Sequence, residues 1–163
     1  SKYFELIGVD QSHVVIHNWV HKADLQPISA VFEDQPAVDE KMIRPHGQKF
    51  RLYGVVDPYT NEILHVVSMG GKQIDNTMVS ERITSVFQFD AVEFLVDDAD
   101  YLGPVLAEDG YGFQVIRHEN RNAIERTFWE TERRTSSFAN IFNNVALETA
   151  QKWLEAVAVY HNS

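Results

Sequence analysis

Residues 37–69 read AVDEKMIRPHGQKFRLYGVVDPYTNEILHVVSM, and this stretch decides the fold. Ala37–Ile43 alternates, with Val38, Glu40 and Met42 on one face and Ala37, Asp39, Lys41 and Ile43 on the other. A period of two is the signature of a strand. Lys49–Val56 and Ile63–Met69 are two further apolar runs, joined by DPYTNE. Pro at the second position and Asn near the end suit a tight turn, because Pro presets φ and Asn tolerates left-handed backbone. The stretch therefore predicts three strands in an antiparallel meander. Asp57 also ends a strand, but as part of VDPYTN it reads as a turn former.

Downstream the pattern changes. Gly70-Gly71 breaks the strand, and Asp75–Phe87 reads as a helix with Ile74, Met78, Ile83 and Phe87 partly in phase. Ala91–Val96 is a short apolar strand ending in Asp97-Asp98. Tyr101–Ala107 suggests a turn of helix, Gly110-Tyr111-Gly112 a loop, and Phe113–Ile116 a fifth strand. Leu147–Tyr160 is an amphipathic helix with Leu147, Ala150, Leu154, Val157 and Ala158 on one face. Three meandering strands followed by alternating helices and strands predict an α/β fold, a mixed five-stranded sheet flanked by helices.

Upstream, Ser1–Pro27 reads as helical, interrupted at Gly8-Val9-Asp10. Helix, glycine-containing turn and helix is the helix-turn-helix pattern, and a plain helical hairpin fits the spacing equally well. His13, His17 and His21 recur every four residues. That spacing can bind zinc, but no Cys or acidic partner lies beside it, so a solvated or DNA-facing row is the expectation. Asp24–Gln35 is linker-like, which divides the chain into a segment 1–27 and a domain 28–163.

At 163 residues and 44% hydrophobic, the chain has material for one real core. Without cysteine, disulfides and thiolate metal sites are excluded. No apolar run approaches a membrane span and no signal-peptide pattern opens the sequence, so a cytoplasmic protein with no membrane partner is expected. A net charge of −10 argues against a generic nucleic-acid binder, unless the basic residues are clustered or the protein works at high salt.

Clustered basic residues do occur in Arg117–Phe138, RHENRNAIERTFWETERRTSSF. This reads as a polar turn entering a long helix, with Ile124, Phe128, Thr135 and Phe138 near one face. Asn120 or Asn122 can cap it. Glu125 falls in the first turn, where the helix dipole favours a carboxylate. Arg121, Arg126, Arg133 and Arg134 surround it. The plain alternative is a solvated helix with pairs such as Arg126/Glu130 and Glu130/Arg134. Asp39, Asp97 and Glu125 then stand on a strand, at a strand end and on a helix. Phosphodiester chemistry with two Mg²⁺ ions needs such hard oxygen ligands, with positions left for water and phosphate.

The sequence resembles the DDE-type insertion-sequence transposases, in the compact form found in bacteria and halophilic archaea. The resemblance covers nearly the whole chain. It is carried by AVDEKMIRPHGQKFRLYGVVDPYTNEILHV, FLVDDADYL, HENRNAIERTFWETERRTSSFANIF and WLEAVAVYHN. It implies an RNase H-like catalytic domain behind a helix-turn-helix segment, here N-terminally short. It implies Mg²⁺ or Mn²⁺ held by Asp39, Asp97 and Glu125, with Asp98 as the rival for the second position. It further implies cleavage at transposon ends and joining of the freed 3′-OH to target DNA. The implied partner is double-stranded DNA, bound by a homodimer or higher assembly in the nucleoid, with Arg121, Arg126 and Arg133 against phosphate. Where the family carries Lys or Arg one to two turns after the glutamate, this chain has Glu132. That reversal supports an alternative: a decayed, catalytically weak transposase derivative that binds DNA or assembles on it.

Overall fold

Of the 163 residues, the computed structural model describes 14, 15, 18, 22, 23, 25, 35–43, 48–70, 76–85, 92–97, 101–116, 125, 126 and 146–163. The elements run β1 (Ala37–Ile43), β2 (Phe50–Val56), β3 (Ile63–Gly70), α1 (Asn76–Thr84), β4 (Glu93–Val96), α2 (Leu102–Glu108), β5 (Gly112–Val115) and α3 (Leu147–His161). Of the expected helix-turn-helix, only Val14, Val15, Asn18 and Lys22 are described as helical. The His13, His17 and His21 row lies outside the described residues.

The meander forms as its sequence demands. β1 pairs antiparallel with β2, and β2 with β3, through the turn at 57–62. Asp57 builds that turn: its Oδ1 accepts the N–H of Tyr59 at 2.8 Å and of Thr60 at 3.2 Å. Asn61 takes the one positive φ among the described non-glycine residues, 62°, a conformation Asn tolerates. β4 then pairs parallel with β1, and β5 parallel with β4, giving the sheet order β3-β2-β1-β4-β5. The last strand is Gly112–Val115, one residue earlier than its sequence suggests, so Gly112 belongs to the strand and not to the loop. Gly103 allows this edge to close, because a Cβ there would stand 2.5 Å from the Phe113 ring.

Both faces of the sheet are covered, so its central strands read as continuous apolar runs and not as clean alternation. One core contains Val38, Tyr53, Val55, Val67, Phe94 and Val96 with Val79 and Ile83 of α1 and Leu102, Val105 and Leu106 of α2. The other contains Ala37, Leu52, Val56, Val66 and Leu95 with Leu154 and Ala158 of α3. In α1 the buried stripe is Val79 and Ile83, whereas Met78, which the sequence put in phase with Ile83, is 47% exposed.

β3 is an edge strand, and α3 covers that edge with side-chain amides. Gln151 accepts the Ser68 N–H at 2.7 Å and donates to the Val66 carbonyl at 2.7 Å. Asn162 does the same at Ile63, accepting at 2.9 Å and donating at 2.9 Å. Each amide replaces the backbone groups of a missing neighbour strand. A bare edge would be a template for pairing with another chain.

His65 of β3 is buried beneath α1. Its Nε2 lies 3.0 Å from the Arg82 carbonyl, so Nε2–H donates and Nδ1 is buried with no hydrogen-bond partner among the described residues. Burial pushes the His65 pKa down, only partly offset by that carbonyl. Its contribution is therefore present in full above the unfolded value of about 6.5. It is lost as the pH falls from there towards the lowered folded value, where only the unfolded chain takes up the proton. Denaturant unfolding between about pH 5 and 7.5 should show wild type losing stability on acidification more steeply than His65→Leu. Parallel curves would remove His65 as the cause.

Candidate functional site

Three strands leave the sheet at the same end. β1, β4 and β5 are mutually parallel, with registers Val38↔Val96 and Val96↔Val115. The next residues along β1 and β4 are Asp39 and Asp97. Neighbouring strands lie about 4.8 Å apart, so the two acids start from adjoining positions. By the two-residue period, Asp39 shares the face of Ala37 and Asp97 the face of Leu95, the side covered by α3. Both are half-buried. The next residue of β5 is Ile116, whose N–H donates to the Val96 carbonyl at 2.8 Å and whose side chain packs on the same core.

The strands end unequally. The β1–β4 pairing stops at Val38↔Val96, while β1–β2 continues to Ile43↔Phe50. Leu95 donates to the Pro36 carbonyl, so alternate residues of β1, Val38 and then Glu40, direct their backbone groups towards β4. At Glu40 that neighbour has ended. Its N–H is taken instead by Oδ1 of Asp39 at 2.7 Å. Asp39 thus caps the backbone where the β1–β4 pairing stops. Open α/β sheets bind ligands beyond the carboxyl ends of their strands.

Glu125 and Arg126 are helical and exposed, on the chain that follows β5. Asp98, Arg121, Glu132 and Arg133 lie outside the described residues. Among the described residues no group of three His, Asp or Glu side chains is drawn together as a metal site. The donor chemistry of the pair itself fits a hard divalent cation. Two adjoining half-buried carboxylates supply oxygen ligands and leave most of the coordination shell to water and phosphate, the arrangement Mg²⁺ prefers.

On the opposite face lies a cluster absent from the sequence reading. Arg51 Nη1 meets Glu40 Oε2 at 2.8 Å, with side-chain exposures of 41% and 21%. The Arg51 guanidinium lies 5.2 Å from the centre of the Tyr101 ring. The Tyr53 and Tyr101 hydroxyls are 2.9 Å apart. Arg51 and Tyr53 alternate in KFRLYG, which was the available signal. Their partner Tyr101 lies in another segment, which no local pattern connects to them.

No family model matches the chain. An uncharacterized protein of Methanocaldococcus jannaschii is 24% identical over 127 residues, 77% of this chain and 59% of that protein. The chain therefore spans 59% of the length of that curated relative. The HTLV-2 integrase catalytic core domain, solved in complex with magnesium in a dimeric form, superposes with a TM-score of 0.51 at 11% identity. That match covers 78% of this chain and 87% of the integrase chain. The fold is that of an integrase catalytic core. It is RNase H-like: a mixed five-stranded sheet with helices on its faces. A chain of the simian T-cell lymphotropic virus intasome agrees, with a TM-score of 0.54 at 12% identity, over 98% of this chain and 66% of its own. In this RNase H-like frame, Asp39 and Asp97 are the residues that follow the last paired positions of β1 and β4, Val38 and Val96.

Proposed function

We propose that this chain is a DDE-type transposase catalytic domain, which cleaves DNA at transposon ends and joins the freed 3′-OH to target DNA. The observation that carries the reading is the parallel pairing of β1 with β4, whose last pair, Val38↔Val96, directly precedes Asp39 and Asp97. Asp39 and Asp97 would hold Mg²⁺ or Mn²⁺, and Glu125 would complete the ligand set from the helix after β5. When bound, such ions activate the attacking oxygen and neutralise charge on the leaving one. Arg121, Arg126 and Arg133 contact phosphate in this reading. The partner is double-stranded DNA, engaged by a homodimer or higher assembly in the nucleoid. The integrase-core fold and the magnesium-bound state of the HTLV-2 core domain support it.

A second reading is a transposase derivative that binds DNA without turnover. Glu125 is exposed, and among the described residues no group of three His, Asp or Glu forms a metal site. Glu132 also puts negative charge about two helical turns beyond Glu125, where phosphate would run.

The test is nicking of end-labelled DNA with Mg²⁺, Mn²⁺ or chelator. Weak, metal-dependent nicking that declines steeply with salt is the expected result, because phosphate contacts release counterions. Cutting that survives chelator, or none above chelator background, would refute the catalytic reading. DNA binding without metal-dependent cutting would select the second reading.

A further inference from the structure

Asp39 and Asp97 are each the first residue beyond the β1–β4 pairing: Asp39 stays paired with Gly54 of β2, whereas Asp97 follows the last residue of β4, whose pairings with β1 and β5 both stop at Val96. What adds to this hold is on the opposite face. Glu40, directly after Asp39, is paired with Arg51 at 2.8 Å. Tyr101, four residues after Asp97, packs its ring on the α1–α2 core. Tyr101 is gripped twice from β2: by the Tyr53 hydroxyl at 2.9 Å and by Arg51 at 5.2 Å from the ring centre. Arg51 therefore touches both the residue after Asp39 and the anchor after Asp97.

We propose that Arg51, Tyr53 and Tyr101 are positioning residues that hold the Asp39 and Asp97 carboxylates in register for a divalent cation. The inference rests on the metal reading above and adds a mechanism for the spacing of the pair. Glu40 and Arg51 stop β1 from swinging where β4 has ended. The tyrosine pair ties Tyr101, four residues after Asp97, to β2. Together they act through β2, which is hydrogen-bonded on both sides and so is the stiff member. Tyr53 is fully buried, and burial, followed by the nearby Glu40 charge, pushes its hydroxyl up to about 12. The Tyr53 hydroxyl thus stays neutral throughout the range in which carboxylates bind metal.

Mn²⁺ binding to the whole chain, read by electron paramagnetic resonance, tests this without any turnover. Tyr53→Phe and Tyr101→Phe keep the rings and remove one hydroxyl each. Each should weaken Mn²⁺ binding about five-fold, the net worth of one hydrogen bond. The double variant should be no weaker than either single one, because both lose the same contact. Arg51→Lys should also weaken it, since Lys lacks the flat guanidinium that stacks on Tyr101. A purely structural role would lower the melting temperature and leave Mn²⁺ affinity and its spectrum unchanged. That outcome, with Asp39→Asn still abolishing binding, overturns the positioning role and spares the metal site. Mn²⁺ binding that is absent from wild type, or indifferent to Asp39→Asn, overturns both.

Discussion

Asp39→Asn is expected to lower metal-dependent DNA cleavage by roughly a thousand-fold or more, while shifting the melting temperature by only a few degrees. The magnitude follows from the several kcal/mol of charge stabilisation that a bound divalent ion supplies, at about 1.36 kcal/mol per factor of ten. The selectivity follows from the local geometry. Oδ1 of Asp39 accepts the Glu40 N–H at 2.7 Å, and the amide oxygen of Asn can accept the same bond. What Asn cannot do is carry the negative charge that a hard cation requires. Asp57→Ala is the control. Asp57 is more buried, at 5% exposed, and accepts two N–H groups within its turn. Its replacement should cost stability and leave cleavage near wild type. Initial rates on labelled DNA with each variant, beside their thermal melts, separate the two acids. Activity of Asp39→Asn within about three-fold of wild type would eliminate the proposed chemistry. A collapse of its melting temperature would make Asp39 a structural residue.

The two acids differ in sequence by very little. Both end or interrupt an apolar strand, and turn chemistry in VDPYTN was enough to set Asp57 aside. The meander, the short fourth strand and the last helix were equally legible, because period and turn residues are local signals. Asp39 and Asp97 became a pair through the parallel β1–β4 register, a contact between distant segments that periodicity does not encode. The same limit hid Tyr101 beneath Arg51, and it hid Gln151 and Asn162 along the β3 edge. An amide on a helix carries no pattern that names the strand it will complete. Met78 was misplaced for a different reason. A helix with two polar buried residues, Ser80 and Thr84, beside Val79 and Ile83 has a blurred stripe, so apolar phase alone picks the wrong side.

A formal charge of −10 also acquires a physical place in the mechanism. An acidic protein repels phosphate at long range, over about 8–10 Å at ordinary ionic strength. A divalent ion held by Asp39 and Asp97 would cancel the negative charge of the pair locally. Metal dependence and DNA affinity should then rise together, and Arg126, exposed beside Glu125, can act only within that screened distance.

The largest loss of stability is expected from Phe94→Ala. Phe94 lies in the middle of β4, fully buried, in the core with Val38, Tyr53 and Val96. Its ring meets Tyr111 edge to face, with centroids 5.7 Å apart and planes at 75°. Emptying such a site costs about 3–5 kcal/mol, because neighbours relax only partly into the void. The aromatic pair adds about 0.5–1.5 kcal/mol. Against a total stability of about 5–15 kcal/mol, the variant should be partly unfolded or close to it. With a slope of roughly 2 kcal/mol per molar urea, the unfolding midpoint should fall by about 2 M. Val115→Ala on the adjoining edge strand, 37% exposed, should cost well under half as much. Phe94→Leu should fall between, since it keeps apolar volume and loses the ring contact. The same substitutions bear on the site. β4 carries Asp97 to its place beside Asp39, so Phe94→Leu should weaken Mn²⁺ binding in proportion to the motion it allows β4. A Phe94→Ala loss below about 1 kcal/mol would mean that β4 is not a core strand, and the register that pairs the two acids would fall with it.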